Sequence, residues 1–335
     1  MNVKDIEIES RSDETSLVPK FGSIFGAFFV AIALIPLVVF VFAQFGARYF
    51  YLAELINNFR MYLLFMLLPF PFLLWATSRN TLAAIMAVAT IWCAWGVVTV
   101  YLPSVQPPAG SQPVKIMSFN LLAGNRAHRA VLNRIEEIDA DVLVLVEYQV
   151  PWDDVMSVIK DKYPYQIEQP RWHGYGIAIF SKLPLQNENV FSLAEEYTDA
   201  PVVAATIDQN GQPLRIVGVH TVSPTNVFRS NLRNNQLVEL ANVLRTDHVP
   251  TVVLGDFNCP PWSTFMKQFA RDTEYRDSRQ GFGYQGSWHA HYRIMSIPID
   301  HAYVSPDVHV HDRKIAGPAG SDHLPLVVTV SLTGT

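Results

Sequence analysis

The feature that most constrains this chain is a stretch of about 25 residues, Phe21 to Phe45, without a single charge. As a helix rising ~1.5 Å per residue, it is long enough to cross a hydrocarbon core of roughly 30 Å. Two more apolar runs follow. Met61 to Thr77 is almost entirely Leu, Phe, Met and Pro, and Thr81 to Leu102 carries Trp and Tyr near its outer end, where such rings settle at a membrane interface. Soluble cores seldom hold three uncharged runs of near-spanning length, so the sequence predicts three transmembrane helices, at about 21–45, 61–77 and 81–102. A cleaved signal peptide fits poorly, because the first run is long, lacks a small-residue cleavage pattern and has further spans behind it.

Flanking charges give the orientation. Lys4, Arg11, Lys20 and Arg79 lie on the side of the N-terminus and the second loop, against Arg48 and Arg60 in the first loop. This bias predicts that residues 1–20 form a cytoplasmic tail, and three spans then place everything after Leu102 outside the cytoplasm, in a multi-pass protein of the cell (inner) membrane. The uncharged, Pro/Gly/Ser-rich segment 103–113, PSVQPPAGSQP, reads as a short, fairly stiff linker. Residues 114–335 are enough for one further core. Of the two cysteines, Cys93 falls inside a span and Cys259 beyond the linker, so no disulfide is expected.

Beyond the linker the periodicity changes to strands alternating with helices. Strands are read at 114–122, 141–149, 176–182, 202–208, 214–221, 298–305 and 321–332; amphipathic helices at 129–138 and 228–244. The segment VVLGDFNCPPWS, residues 252–263, runs an apolar strand into Asp256 and Asn258 before a proline stop. Polar residues recur at the ends of these runs: Asn120, Glu147, His220, Asp256 with Asn258, Asp300, and Asp322 with His323. Each alone reads as a turn, a cap or a satisfied core residue. Together, on strands of one sheet system, they predict a single cleft lined by acids and imidazoles.

The motifs SFNLL, LVEYQ, GIAIFSK, VGVHT, LGDFNCPP, IDHAYVS and GSDHLPL, in this order over residues 114–332, resemble those of the endonuclease/exonuclease/phosphatase superfamily of metal-dependent phosphoesterases. The resemblance implies a four-layered α/β sandwich, two mixed β-sheets packed face to face with helices outside, preceded here by the helical membrane region.

Phosphoester hydrolysis needs charge neutralised on the phosphoryl oxygens, an oriented water and stabilisation of the leaving oxygen. Glu147 offers a hard anionic metal ligand with Asn120 as a neutral oxygen beside it, a set that suits Mg²⁺, with Mn²⁺ as a substitute. The residues show no Cys/His spacing for zinc. Asp256 and Asn258, two apart in an extended segment, face one side. The resemblance implies that Asp256 orients or deprotonates the water while Asn258 hydrogen-bonds a phosphoryl oxygen. It likewise implies that His323, paired with Asp300, contacts the scissile phosphate, that Asp322 lies near the metal, and that His220 faces the leaving oxygen. Repair-type members tend to carry tyrosine where His220 stands, so the resemblance leans away from abasic-site repair.

Substrate stays open at this level. Residues 111–335 hold 19 Lys and Arg against 24 Asp and Glu, a poor surface for tracking a duplex, although Arg229 with Arg233 offers a local basic strip. Phe191, Tyr197, Phe282, Tyr284, Trp288 and Tyr292 are candidates to stack bases or hold a lipid or sugar, with core packing as the alternative. His289 and His291 in SWHAHYR suggest either a second metal site or a solvated strand face. An extracellular or periplasmic endonuclease, a phospholipid or sphingomyelin headgroup phosphodiesterase, a soluble-phosphoester hydrolase and an inactive membrane scaffold all remain as readings.

Overall fold

The computed structural model describes residues 17–104, 107 and 112–332. The expected cytoplasmic tail lies mostly outside the described residues, as does most of the linker.

The N-terminal region is helical: α1 (Leu17–Gly46), α2 (Tyr51–Asn58), α3 (Arg60–Leu67), α4 (Phe70–Ala76) and α5 (Asn80–Val98). Two segments, Ile24–Gly46 and Asn80–Tyr101, are long and apolar enough to cross a membrane, with mean hydropathies of 2.9 and 2.0. The middle run, 61–77, falls almost wholly within Arg60–Ala76, which together with α2 makes a bent pair that could form a third, broken span. It breaks between α3 and α4, and α2 meets the Arg60–Ala76 segment at a bend of 75°. The reason is in the residues. Pro69 and Pro71 leave backbone groups without helical partners, and α2 carries Glu54, Asn57 and Asn58, which are buried against the rest of the protein.

The remainder is two six-stranded mixed sheets. The first contains β1 (Val114–Asn120), β2 (Val142–Val146), β3 (Tyr165–Gln169), β4 (Ile177–Ser181), β11 (Val308–Ile315) and β12 (Leu326–Leu332) in the order β11-β12-β1-β2-β4-β3. The second contains β5 (Gln186–Ser192), β6 (Pro201–Gln209), β7 (Gln212–His220), β8 (Thr251–Asp256), β9 (Arg276–Asp277) and β10 (Asp300–Val304) in the order β5-β6-β7-β8-β10-β9. Each sheet has one parallel pair at its centre, β1 with β2 and β7 with β8. Such a pair needs a crossover, and α6 (His128–Ile138) and α8 (Val227–Leu244) supply it.

Strands buried on both faces explain the near-continuous Val/Ile/Leu runs. Their inner faces meet in one aliphatic core that includes Ile116, Val144, Ile179, Val203, Ile216, Leu254 and Val328. The outer face of the first sheet packs under α6 and α7 (Pro151–Met156) through Phe119, Leu143, Val131, Ile135 and Trp152. The second packs under α8 and α9 (Thr264–Thr273) through Val217, Val253, Leu237, Leu240 and Phe269. The four-layered sandwich is therefore present. Several strand readings shorten, 114–122, 141–149 and 176–182 at their ends, and two of them at a proline: 298–305 begins only at Asp300 after Pro298, and 321–332 only at Leu326 after Pro325, since proline donates no ladder hydrogen bond.

Candidate active site

The parallel pairs end together, and so do their polar residues. Asn120 is the last residue of β1, beside Val146 of β2, and Glu147 follows at once. In the second sheet His220, Asp256 and Asp300 occupy one row, His220 opposite Asp256 and Asp256 opposite Asp300. Gly255 makes this row possible. Its φ is +147°, and a Cβ there would stand 1.8 Å from the Val219 carbonyl oxygen, a clash no side chain can relieve.

Asn120 links the two halves of the site. Its Nδ2 donates to Glu147 Oε1 and to Asp256 Oδ2, both at 3.0 Å, while Oδ1 accepts from the Leu122 amide at 2.9 Å. Glu147 has φ +56°, a conformation that costs most residues stability and clusters at functional sites. Its Oε2 accepts from the Ala123 amide at 2.5 Å.

Asp256 and Asn258 converge by a route other than strand alternation. β8 ends at Asp256, Asn258 turns into the left-handed region at φ +51°, and its amide donates to Asp256 Oδ1 at 2.8 Å. An Asp side chain bonding the backbone two residues on makes a turn of its own, which is why the pair sits beyond the strand. Asn258 Nδ2 also donates to the Thr221 carbonyl at 2.9 Å, leaving one of its N–H groups for a further acceptor.

His323 Nδ1 lies 2.8 Å from Asp300 Oδ2, and its Nε2 lies 3.6 Å from Asp256 Oδ2. Burial alone would lower the ring's pKa; the Asp300 and Asp256 carboxylates outweigh it and raise it to about 10. Asp256, buried beside those groups, is pushed up to about 7, chiefly by desolvation, with His323 pulling it back. Asp300 goes the other way: despite burial, the His323 imidazolium and its hydrogen bond hold it low. His220 Nε2 lies 3.8 Å from Asp256 Oδ2, and burial lowers its pKa, so it is the neutral imidazole of the two. His301, one residue past Asp300, points to the opposite face. There it sits between Arg279 and the Cys259 carbonyl, at 2.8 and 2.7 Å, and burial followed by the Arg279 charge lowers it to about 3. It is a structural histidine.

The loop from Ser287 to Ala290 fixes the Ser321–His323 turn. Ser287 Oγ accepts from the Asp300 amide, Trp288 Nε1 donates to Asp322 Oδ2 at 2.9 Å, and the Ala290 amide donates to the Asp322 carbonyl at 2.7 Å. Asp322 Oδ1 is buried without a hydrogen-bond partner. An orphaned carboxylate oxygen fits a hard cation, as does Glu147, so the oxygen donors here suit a divalent ion that prefers carboxylates and water. A different set, Asp256, Asp300 and His323, also brings potential ligand atoms within 4.8 Å of one another. There His323 and Asp300 already satisfy each other.

All eight residues singled out in the sequence thus stand at one rim, and six of them line a pocket of about 600 Å³: Glu147, His220, Asp256, Asn258, Asp322 and His323. Of the candidate aromatics only Trp288 lines it; Phe191 packs on the outer core, and Tyr284 stacks on Trp262. His289 and His291 lie in a loop with ring centroids 5.2 Å apart. The basic strip does not form. Arg229 lines the pocket, but Arg233 is buried elsewhere, between Glu54 and the Asn258 carbonyl.

The sequence model of the endonuclease/exonuclease/phosphatase family matches residues 117–323. The chain belongs to that family. Members are metal-dependent hydrolases of phosphoester bonds, and this chain is accordingly one such enzyme. No curated protein sequence matches it significantly. Solved structures do. The human Nocturnin catalytic domain with bound sulfate is 21% identical, with 69% of this chain and 97% of that one covered and a TM-score of 0.55. D. rerio TDP2 in complex with a single-strand DNA product is 15% identical, over 66% and 99%, at 0.55. An endonuclease/exonuclease/phosphatase from Beutenbergia cavernae is 18% identical, over 67% and 72%, also at 0.55. At these identities the likeness is one of fold.

Proposed function

We propose that this family member is a membrane-anchored, Mg²⁺-dependent phosphoesterase whose catalytic domain lies outside the cytoplasm. The observation that carries the mechanism is the row Asp300–His323–Asp256: one carboxylate orients an imidazolium, and a second carboxylate with a pKa near 7 stands beside it. A cation at Glu147 and Asp322, with Asn120 beside it, would supply charge neutralisation on the phosphoryl group. Asp256 accepts the proton of the attacking water, since a base titrating near 7 takes up a proton and gives it back at neutral pH. His323, charged and held by Asp300, donates to a phosphoryl oxygen. Asn258 offers its remaining N–H to the same group, and neutral His220 faces the leaving oxygen across the pocket.

Purified full-length protein should hydrolyse bis(p-nitrophenyl) phosphate or p-nitrophenyl phosphate only with Mg²⁺ or Mn²⁺, and lose the activity in chelator. Glu147→Gln should raise the metal concentration needed for half-maximal rate. Chelator-resistant turnover overturns the metal role. The orientation is tested separately: a reporter fused after Thr335 should be active only outside the cytoplasm, and one placed at 78–80 only inside.

A further inference from the structure

The pocket has a wall that the catalytic sandwich does not make. Leu55, Asn58 and Phe59, from α2 and the residue after it, line the same cavity as Asp256 and His323. That wall is held firmly. Glu54 Oε1 pairs with Arg233 Nη2 at 2.5 Å and its Oε2 accepts from Ser230 Oγ at 2.8 Å, both partners being on α8. Tyr51 Oη donates to the Pro224 carbonyl at 2.9 Å, and Trp262 Nε1 to the Asn57 carbonyl at 2.5 Å. Tyr62 Oη donates to the Ile294 carbonyl at 2.6 Å, and the Gly281 amide to the Val100 carbonyl at 2.9 Å. The rim of the site is thus bound to the ends of the apolar helices.

Two surface features continue that arrangement. Ile294 is 92% exposed beside Met295, next to its contact with Tyr62 and three residues before Ile297 of the pocket lining, and Phe228 is 60% exposed beside Val227, next to Arg229 of that lining. Exposed apolar groups beside lining residues, in segments that touch the N-terminal helices at Tyr62 and Tyr51, are placed as a membrane-facing surface would be. The cavity agrees. Its non-catalytic lining is largely apolar, with Leu55, Phe59, Ile297 and Ile299, and Arg229 is the single Lys or Arg. A nucleic-acid channel needs a track of basic groups.

Resting on the phosphoesterase reading above, we propose that the site takes the phosphoester headgroup of a membrane amphiphile, whose apolar portion lies along Leu55 and Phe59. The enzyme then draws its substrate from the bilayer that anchors it.

A chain-length series tests this. Full-length protein in nanodiscs is assayed on alkyl p-nitrophenyl phosphates from methyl to decyl, each below its critical micelle concentration, on the matching alkyl phosphates, and on a single-stranded oligonucleotide. Burial of a methylene favours binding by up to about fourfold. The decyl-to-methyl ratio of kcat/KM should therefore exceed about tenfold even where only part of the chain is seated. Partition into the disc alone raises that ratio in any variant, so the decisive comparison is with Phe59→Asp, and with Leu55→Gln should that variant fail to fold: the ratio should fall several-fold, and Phe59→Leu should restore it. A ratio near one in the parent, a ratio unmoved by the polar substitutions, or an oligonucleotide cleaved faster than every alkyl ester overturns the proposal. Failure to hydrolyse any probe with Mg²⁺ instead overturns the phosphoesterase reading beneath it.

Discussion

The two parallel units of the sandwich, β1-α6-β2 and β7-α8-β8, have the same architecture and end on different chemistry. The first delivers Asn120 and Glu147, oxygen-bearing groups suited to a cation; the second delivers His220 and Asp256, the groups to which the proposed mechanism gives the proton and the leaving oxygen. Their crossover helices differ as well. α6 buries an ordinary apolar stripe, Val131 and Ile135, and leaves its charged Arg134–Glu137 pair at the surface. α8 buries apolar Leu237, Leu240 and Leu244 on one side and polar Ser230, Arg233, Asn234 and Gln236 as well. A helix with two buried faces has two partners, here the sheet and α2. The unit that carries His220 and Asp256 is thus the one braced by the N-terminal helical region, through Glu54 of α2.

The largest effect should come from removing that brace. Glu54→Ala leaves the Arg233 guanidinium buried without its counter-charge and should cost about 3 to 5 kcal/mol of stability, read as denaturant unfolding of the full chain in detergent. The Glu54→Ala/Arg233→Met pair should recover most of it. Stability equal to the parent's in the single variant would show that α2 is only resting on α8.

Next is the chemistry of the second unit. Asp256→Asn keeps the shape and removes the basicity, so turnover should fall at least about a hundredfold while metal response is kept. Glu147→Gln should do the reverse, shifting the metal titration first. Equal effects of both on both readouts would erase the division between the units.

A smaller effect concerns the ring between them. The protonated form of His323 is the form that Asp300 and Asp256 stabilise, so its pKa lies above the ordinary value. The associated stabilisation is complete below the unfolded imidazole pKa and is lost as pH rises through about 10. Asp300→Asn should lower that pKa, measured by imidazole ¹⁵N shifts in metal-free protein. The smallest effect belongs to α6: Glu137→Ala, which removes the exposed partner of a 2.6 Å pair with half-buried Arg134, should stay within about 1 kcal/mol.

The sequence was most legible where chemistry and strand periodicity coincide. Runs such as VLVLV and VVLGD are strands by composition, and their ends hold the acids and imidazoles, so the candidate site is legible in the sequence itself. Edge elements were harder to read. β5, QNENVFS, is exposed over most of its length and so carries little apolar alternation; β11 contains a bulge between Val310 and Asp312 that breaks its period. The geometry of Asp256 and Asn258 was hidden because the turn depends on a side-chain bond. Least legible was the Glu54–Arg233 pair, which joins residues 179 apart in the chain. Nothing local to either residue marks it, although buried polar positions on one face of FRSNLRNNQ are what such a partner requires.

That separation also orders the assembly in time. At synthesis rates of about 5–20 residues per second, α2 leaves the ribosome roughly ten to forty seconds before Arg233 follows. The last wall of the pocket in space is therefore the first to be made. A helix of eight residues is marginal alone, so α2 is expected to gain its order when Arg233, Ser230 and Trp262 arrive to hold it, and the cleft to be complete only then.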